Sequence, residues 1–217
     1  MKKVVLALLV AMLVPFVGQA QEISKNEQTD YSKWQFRLRG VVVTPDESAN
    51  IEAIGGDVDI STTVIPELDI TYFFTKNIAA ELILGTTKHE VSAINTAVGE
   101  IDLGSVWLLP PTLTAQYHFY NGNFKPYLGA GINYTIFYGE DEGPVADNLT
   151  YDNNVSFALQ LGLDYTLNNN WFLNLDVKKL FLNTDVEVDA TSALGATVGA
   201  DVDINPWLIG FGVGYKL

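Results

Sequence analysis

Charged side chains stand at alternate positions within several stretches that are otherwise apolar. They are Arg37, Arg39, Glu67, Asp69, Glu81, Asp164, Asp176 and Lys178. Because they combine cations with carboxylates, the chemistry open to them is ion pairing or the conduction of ions. A charge that is removed from water has to be paired. The set therefore predicts either a charged, ion-selective pore or a self-neutralising network that fills an interior.

The elements that position these charges are strands, because apolar and polar residues alternate strictly around them. The clearest examples are residues 68–72, 113–119, 157–165 and 207–217. The pattern predicts eight strands, at about 34–44, 61–74, 78–88, 106–119, 126–137, 155–166, 171–187 and 202–217. Three short polar turns join them, at 75–77, 121–123 and 168–170. Four long connections, predicted as loops, cover about 45–60, 88–103, 138–154 and 189–201.

Short turns at one end and long loops at the other are typical of outer-membrane barrels. We therefore predict an all-β fold: an eight-stranded antiparallel transmembrane β-barrel with short periplasmic turns and long extracellular loops. Apolar side chains would face lipid and charged side chains would face the lumen. The alternative, a soluble β-sandwich, would bury those charges in its core or leave the aliphatic side chains in water.

The N-terminus predicts export. Met1–Lys3 is basic, residues 4–17 are apolar, and Gly18-Gln19-Ala20 has the small-x-small pattern of a cleavage site. We expect a signal peptide at 1–20, a short periplasmic segment at 21–33 and the barrel at 34–217. The expected location is the outer membrane of a Gram-negative bacterium.

Composition argues against several function classes. The formal net charge of −14 opposes nucleic-acid binding, which needs basic surfaces. With no cysteine and with His89 and His118 as the only histidines, we expect neither a metal site nor another cofactor. No nucleophile motif is present, so an enzyme is not expected. The acidic residues 140–142 are interpreted as part of a solvated loop, the alternative being divalent cations that bridge lipopolysaccharide.

Apolar residues also fall at positions expected to face the outer half of the lumen. These are Val41, Val43, Trp107, Leu108, Phe137 and Leu208. An eight-stranded barrel has an interior just wide enough for side chains or for one small ligand. These residues therefore form either a hydrophobic funnel or ordinary packing beneath the loops. Pro110 and Pro111 interrupt the fourth strand, where we expect a local break and a lateral exit for a solute.

Several stretches resemble the OmpW family of outer-membrane proteins. The matching segments are Trp34–Gly40, Leu109–Tyr117, Lys125–Tyr134, Asp176–Thr184 and Asp203–Gly210, in the order of the family. Their most specific parts are Leu109-Pro110-Pro111-Thr112 and Asn205-Pro206-Trp207. The resemblance implies a monomeric eight-stranded barrel that forms a narrow channel for passive uptake of small hydrophobic molecules.

Two functions stay open at this point. The first is a channel with an apolar outer funnel and a lower lumen closed by charges. The second is a non-transporting structural or receptor barrel that acts through its surface loops, in stress adaptation or in phage or bacteriocin binding. Expected partners are outer-membrane lipid, lipopolysaccharide, small hydrophobic solutes and, during insertion, the barrel-assembly machinery.

Overall fold

A computed structural model describes residues 32–52 and 54–217. The predicted signal peptide, and the N-terminal segment as far as Tyr31, lie outside these described residues. In chain order the strands are β1 (Trp34–Thr44), β2 (Ser48–Ile51), β3 (Asp57–Ile60), β4 (Thr63–Phe73), β5 (Ile78–Gly85), β6 (Thr87–Thr96), β7 (Gly99–Leu109), β8 (Thr112–His118), β9 (Phe124–Glu142), β10 (Asn148–Tyr151), β11 (Asn154–Thr166), β12 (Trp171–Phe181), β13 (Asn183–Ala190), β14 (Ala196–Asp203) and β15 (Trp207–Lys216). A single helical turn, α1 (Thr191–Leu194), precedes β14.

Eight of these strands close into an antiparallel barrel within the described part of the chain. Their order around the barrel is β1, β4, β5, β8, β9, β11, β12 and β15, and β15 pairs again with β1. Closure leaves none of the eight with an unpaired edge, as a sheet surrounded by lipid requires. The predicted fold class is confirmed.

The remaining strands, β2, β3, β6, β7, β10, β13 and β14, lie beyond the barrel at its extracellular end, and we call them the outer strands. They pair in the orders β9–β7–β6–β3 and β10–β13–β14–β2. The prediction that the four long connections are loops is therefore wrong for most of their length. In β6, for example, Val91 and Ala93 are buried on one face while Lys88 and Glu90 on the other are exposed. This alternation is a strand pattern that the prediction read as a loop.

Several predicted strands are also divided in two. The segment predicted at 106–119 becomes β7 and β8, separated by Pro110 and Pro111. The segment predicted at 202–217 becomes the end of β14 and then β15, with Pro206 between them. Proline lacks the N–H group that a sheet ladder uses, and both breaks fall at prolines.

Hydrogen bonds from the backbone to polar side chains stabilise the short periplasmic turns. Thr75 Oγ1 accepts hydrogen bonds from the backbone N–H groups of Asn77 (3.3 Å) and Ile78 (3.0 Å). Asn168 Oδ1 accepts one from the N–H of Trp171 at 2.9 Å. Gly122 takes the left-handed conformation (φ 60°) that the turn between β8 and β9 needs.

The two faces of the barrel are inverted relative to a water-soluble protein. Leu161 and Phe211 point outward and are 63% and 60% exposed, whereas Asp69 and Glu81 point inward and are 0% exposed. Aromatic pairs lie near the periplasmic turns, such as Trp34–Tyr72 with ring centroids 4.8 Å apart. Amphipathic rings favour the membrane–water interface, so this arrangement fits a barrel whose outside contacts lipid. Within the described residues, no helix is both long enough and apolar enough to cross a membrane.

Candidate functional site

Arg37 reaches across the middle of the lumen instead of pairing with its neighbour on β4. Its backbone lies beside Asp69. Its guanidinium, however, forms ion pairs with Glu81 of β5 and, at 2.9 Å, with Asp164 of β11. The lumen is therefore narrow enough for one arginine to connect opposite sides of the barrel.

Arg39 lies at the centre of the same group. Its guanidinium nitrogens lie 3.1 Å from Glu67, 2.6 Å from Asp69 and 3.1 Å from Asp176. Lys178 adds contacts of 2.6 Å to Glu67 and 3.1 Å to Asp176. These side chains come from β1, β4 and β12, so three strands are joined by ion pairs.

The structure brings all eight predicted charges into one connected set, which we call the ion-pair network. Every one of their side chains is at most 3% exposed. A buried charge without a partner is strongly unfavourable, and here each charge has at least one partner of opposite sign. At this level the lumen is filled by paired side chains.

Amides extend the ion-pair network on one side. Gln116 and Gln160 each donate an Nε2–H to Oε2 of Glu81, at 2.7 and 2.8 Å. Gln160 also donates to Asp176 at 2.9 Å. Carboxylate oxygens accept several hydrogen bonds each, so neutral amides satisfy the positions that the cations leave open.

Below the ion-pair network, aromatic rings fill the periplasmic end of the lumen. Tyr127 donates its hydroxyl to Asp176 at 2.6 Å, and the Arg37 guanidinium carbon lies 5.2 Å from the Tyr127 ring centre and 5.4 Å from that of Phe172. Sequence reasoning missed these rings. The available signal was the inward-facing glycines: a Cβ at Gly162 would lie 2.1 Å from Tyr127, and one at Gly214 would lie 2.0 Å from Phe172.

Above the ion-pair network the lumen becomes apolar. Val41, Val43, Leu108, Phe137 and Leu208 belong to one cluster of buried hydrophobic residues. This places five of the six predicted lumen residues inside.

The prediction for Trp107 is wrong. Its side chain is 37% exposed on the outer surface, where it stacks on Tyr138 with ring centroids 6.2 Å apart. Adjacent residues on a strand face opposite sides, so Trp107 and the inward-facing Leu108 cannot both line the lumen. The position of Trp107 fits the outer aromatic belt of a membrane barrel.

The apolar cluster surrounds a cavity of about 70 Å³ between the two sets of outer strands, which we call the outer cavity. Leu108 and Phe137 line it, together with aliphatic residues of the outer strands such as Val58, Val91 and Val186. Val41, Val43 and Leu208 are buried in the same cluster without lining the cavity. Such a lining suits a small apolar molecule better than water, which needs several polar partners.

Three residues of the outer cavity carry polar groups: His89, Tyr151 and Thr184. His89 was predicted in a loop, but it lies in β6 with Nδ1 2.6 Å from the Ser61 carbonyl oxygen and Nε2 2.9 Å from Thr87 Oγ1. Burial lowers the pKa of His89 below its ordinary value of 6.5, so its imidazole stays neutral near pH 7.

The strand break at Pro110 and Pro111 is local. The register between β7 and β9 continues unchanged between β8 and β9, and the N–H of Tyr134 still donates to the Pro111 carbonyl at 3.1 Å. The Pro110 carbonyl instead accepts a hydrogen bond from the inward-facing Asn133 amide at 3.0 Å. Each proline removes one donor from the ladder, and the two donors would point to opposite neighbouring strands. The described strand pairing shows no gap at this point.

The acidic residues Glu140 to Glu142 are not in a loop, because β9 continues through them and pairs with β7. Among the described residues, no group of three or more histidine or acidic side chains is placed to hold a metal ion.

A family model described as the OmpW family matches residues 32–217. The outer-membrane protein y4mB of Sinorhizobium fredii is 51% identical over 187 residues, covering 85% of this chain and 80% of that protein. The dibenzothiophene metabolism operon protein PahQ of Pseudomonas aeruginosa is 32% identical over 194 residues, 84% of this chain and 88% of that protein. The crystal structure of the outer membrane protein OprG from Pseudomonas aeruginosa matches with a TM-score of 0.80 and 28% identity, covering 87% and 97% of the two chains. None of these three names denotes an enzyme.

Proposed function

Because the chain belongs to the OmpW family and has the fold of outer-membrane barrels, we propose that it is a channel for passive uptake of small hydrophobic molecules. A solute enters the outer cavity from the cell surface and leaves sideways into the membrane near Pro110 and Pro111. The ion-pair network closes the lumen below. The observation that carries this proposal is the position of an apolar cavity directly above a layer of paired charges.

The ion-pair network supports a sideways path. A solute moving straight down would have to separate Arg39 from three carboxylates that lie within 3.1 Å of its nitrogens. Separating buried charges of this kind costs several kcal/mol, about 3–5 when one partner is removed. An apolar solute offers no compensating contacts, so the lower lumen acts as a plug.

The two prolines support an exit at their level. Each lacks a backbone donor, so the carbonyls opposite them on both neighbouring strands lose one ladder hydrogen bond. The Asn133 side chain donates a hydrogen bond to the Pro110 carbonyl from inside the lumen. A side chain, and not the backbone ladder, therefore binds the strand at this carbonyl. Fewer ladder bonds make local opening easier here than where the ladder is complete.

The name of one relative also favours an apolar solute. PahQ is named for an operon of dibenzothiophene metabolism, and dibenzothiophene is an aromatic molecule with little polarity. A mostly apolar outer cavity suits molecules of this class.

Uptake of an apolar solute by cells that carry the protein tests the proposal. Leu208→Asp and Phe137→Asp place a charge inside the apolar cluster, and Ala93→Leu fills part of the outer cavity without adding charge. All three should reduce uptake several-fold. Val98→Asp is the matched control, since Val98 is 56% exposed at the turn after β6 and its variant should transport normally.

Correct folding of each variant is checked by the heat-dependent gel mobility typical of outer-membrane barrels. Unchanged uptake in folded Ala93→Leu and Leu208→Asp barrels would refute the channel. Binding of a phage or bacteriocin through the outer strands without solute flux would favour the receptor function. For the exit, Pro110→Ala with Pro111→Ala restores both ladder donors, so uptake should fall while the solute still binds in the outer cavity.

A further inference from the structure

Tyr151 differs from every other polar group that lines the outer cavity. It ends β10, and its ring stacks on Phe137 with centroids 5.4 Å apart and planes 11° from parallel. Its hydroxyl oxygen is buried and has no hydrogen-bond partner among the described residues. A buried hydroxyl without a partner is unfavourable, and phenylalanine would pack here without that cost.

The other polar side chains of the lining are satisfied within the protein. His89 uses both ring nitrogens, on Ser61 and Thr87. Thr184 donates its hydroxyl to the Asp152 carbonyl at 2.8 Å. Among the polar side chains that line the described cavity, the Tyr151 hydroxyl is therefore the one that has no partner within the protein.

The Tyr151 phenol also keeps the proton that it would donate in a hydrogen bond. Burial raises its pKa well above its ordinary value of 10, so it stays protonated at any pH at which the cell lives. A neutral phenol donates one hydrogen bond, and in an apolar surrounding that bond is stronger than in water.

We propose that Tyr151 selects, among apolar solutes, small molecules that carry one hydrogen-bond acceptor, such as aryl ketones, esters or ethers. The acceptor oxygen takes the Tyr151 O–H, while the hydrocarbon part contacts Phe137 and the aliphatic lining. This inference rests on the proposed channel function and names the class of solute that the outer cavity holds best.

The experiment compares two probes of nearly equal shape, ethylbenzene and acetophenone, of which only the second carries a carbonyl. Binding to the full barrel in lipid nanodiscs is followed through the methyl NMR signals of cavity residues such as Val58 and Val186. Probe that dissolves in the lipid does not shift these signals. The amount of probe dissolved in the lipid is the same for every variant, so it does not affect the ratio of the affinities of two variants.

The Tyr151→Phe variant removes one oxygen and keeps the ring. Acetophenone should bind about 3- to 10-fold more weakly to it than to the wild type, the range of one neutral hydrogen bond. Ethylbenzene should bind equally to both. Tyr138→Phe is the matched control, because the Tyr138 hydroxyl lies outside the cavity and contacts Thr86 at 2.6 Å, and it should change neither affinity.

The outcomes separate this inference from the channel itself. Equal acetophenone affinity in wild type and Tyr151→Phe, with ethylbenzene bound by both, would overturn the selection and leave the channel intact. Failure of both probes to bind any variant would overturn the proposed function. If Tyr151→Phe does not fold, the ring-carbon signal of Tyr151 in the wild type decides: it should shift with acetophenone and not with ethylbenzene, and equal shifts would overturn the inference.

Discussion

Replacing Gly214 with alanine would introduce a methyl group into the aromatic layer at the periplasmic end of the lumen. A Cβ there would lie 2.0 Å from Cζ of Phe172, whose side chain is fully buried. Ordinary contacts begin near 3.4 Å, so the ring would have to retreat by about 1.4 Å. Two cations also contact the ring, the Arg37 guanidinium carbon at 5.4 Å and Lys216 Nζ at 5.1 Å from its centre, which leaves it little room.

The size of the effect follows from three contributions. Overfilling a packed interior costs about 1–3 kcal/mol. Disturbing the two cation–ring contacts costs roughly 0.5–1 kcal/mol more. Compared with glycine, alanine lowers the conformational entropy of the unfolded chain, and this stabilises the folded barrel by about 0.4–1 kcal/mol. We expect the free energy of unfolding of Gly214→Ala to fall by about 1–3 kcal/mol.

Urea unfolding of the barrel in lipid vesicles, followed by tryptophan fluorescence, measures this change. Gly40→Ala is the control: Gly40 is also in a barrel strand, but a Cβ there would meet nothing within 4 Å. We expect Gly40→Ala to match the wild type or to be more stable by at most about 1 kcal/mol. Phe172→Leu added to Gly214→Ala should recover part of the loss, because leucine removes the atoms that the methyl group meets.

Two results would refute the reasoning. If Gly214→Ala unfolds within about 0.5 kcal/mol of the wild type, the glycine does not make room for the ring. If Gly40→Ala loses as much stability as Gly214→Ala, the cost belongs to strand glycines in general and not to the aromatic layer.

Two further predictions concern charges. Arg39→Met should lower the free energy of unfolding by about 3–5 kcal/mol, because it leaves buried carboxylates without their cation, and the same urea titration should show almost no change for the exposed Lys88→Met. In β13, a hydrogen bond shared with Asp201 raises the pKa of the exposed Asp185 above its ordinary 3.8, and the Asp201 charge acts in the same direction. The folded sheet therefore binds a proton more tightly than the unfolded chain, and this stability is present at low pH and lost as the pH rises through the raised value. Hydrogen exchange in β13 and β14, corrected for intrinsic rates, should show protection that declines over this range, whereas Asp201→Asn should flatten the decline. An unchanged slope in Asp201→Asn, or an Arg39→Met barrel as stable as the wild type, would contradict these interpretations.

Strand alternation was enough to predict which residues face lipid, because one face of each barrel strand is apolar throughout. It also predicted the members of the ion-pair network. It did not predict their partners, since Arg37 has Asp69 as its backbone neighbour and yet pairs with Asp164 across the lumen. Which side chains pair depends on the distance across the closed barrel, and the positions of the strands in the sequence do not give that distance.

The outer strands were missed for a different reason. Their alternation is weaker, and bulges interrupt it: between Asp102 and Gly104, β7 has one residue more than its partner β6, and Gly104 has φ 96°. A bulge adds one residue to a strand and reverses which face the following residues occupy. A period-two pattern loses its phase at such a point, so these segments were predicted as loops. Trp107 was misassigned for another reason, because it and the adjacent Leu108 were both placed on the inner face.

The polarity of the interior reverses along a single strand. On β9 the inward-facing Asn133 and Thr135 are polar, and two residues further on the inward-facing Phe137 is apolar. Below this level the barrel has the inverted pattern of a protein in lipid, and above it the outer strands have the ordinary pattern of a protein in water, with apolar residues inside. The reversal therefore marks the height at which lipid gives way to water around the barrel.

Pro110 and Pro111 lie beside Thr135 and Tyr134 at this height. A solute held in the apolar interior meets charges below and water above, and the apolar medium nearest to it is the lipid just beyond these two prolines. Under the proposed function, a solute that leaves the described cavity at the level of these prolines reaches lipid without crossing a polar environment.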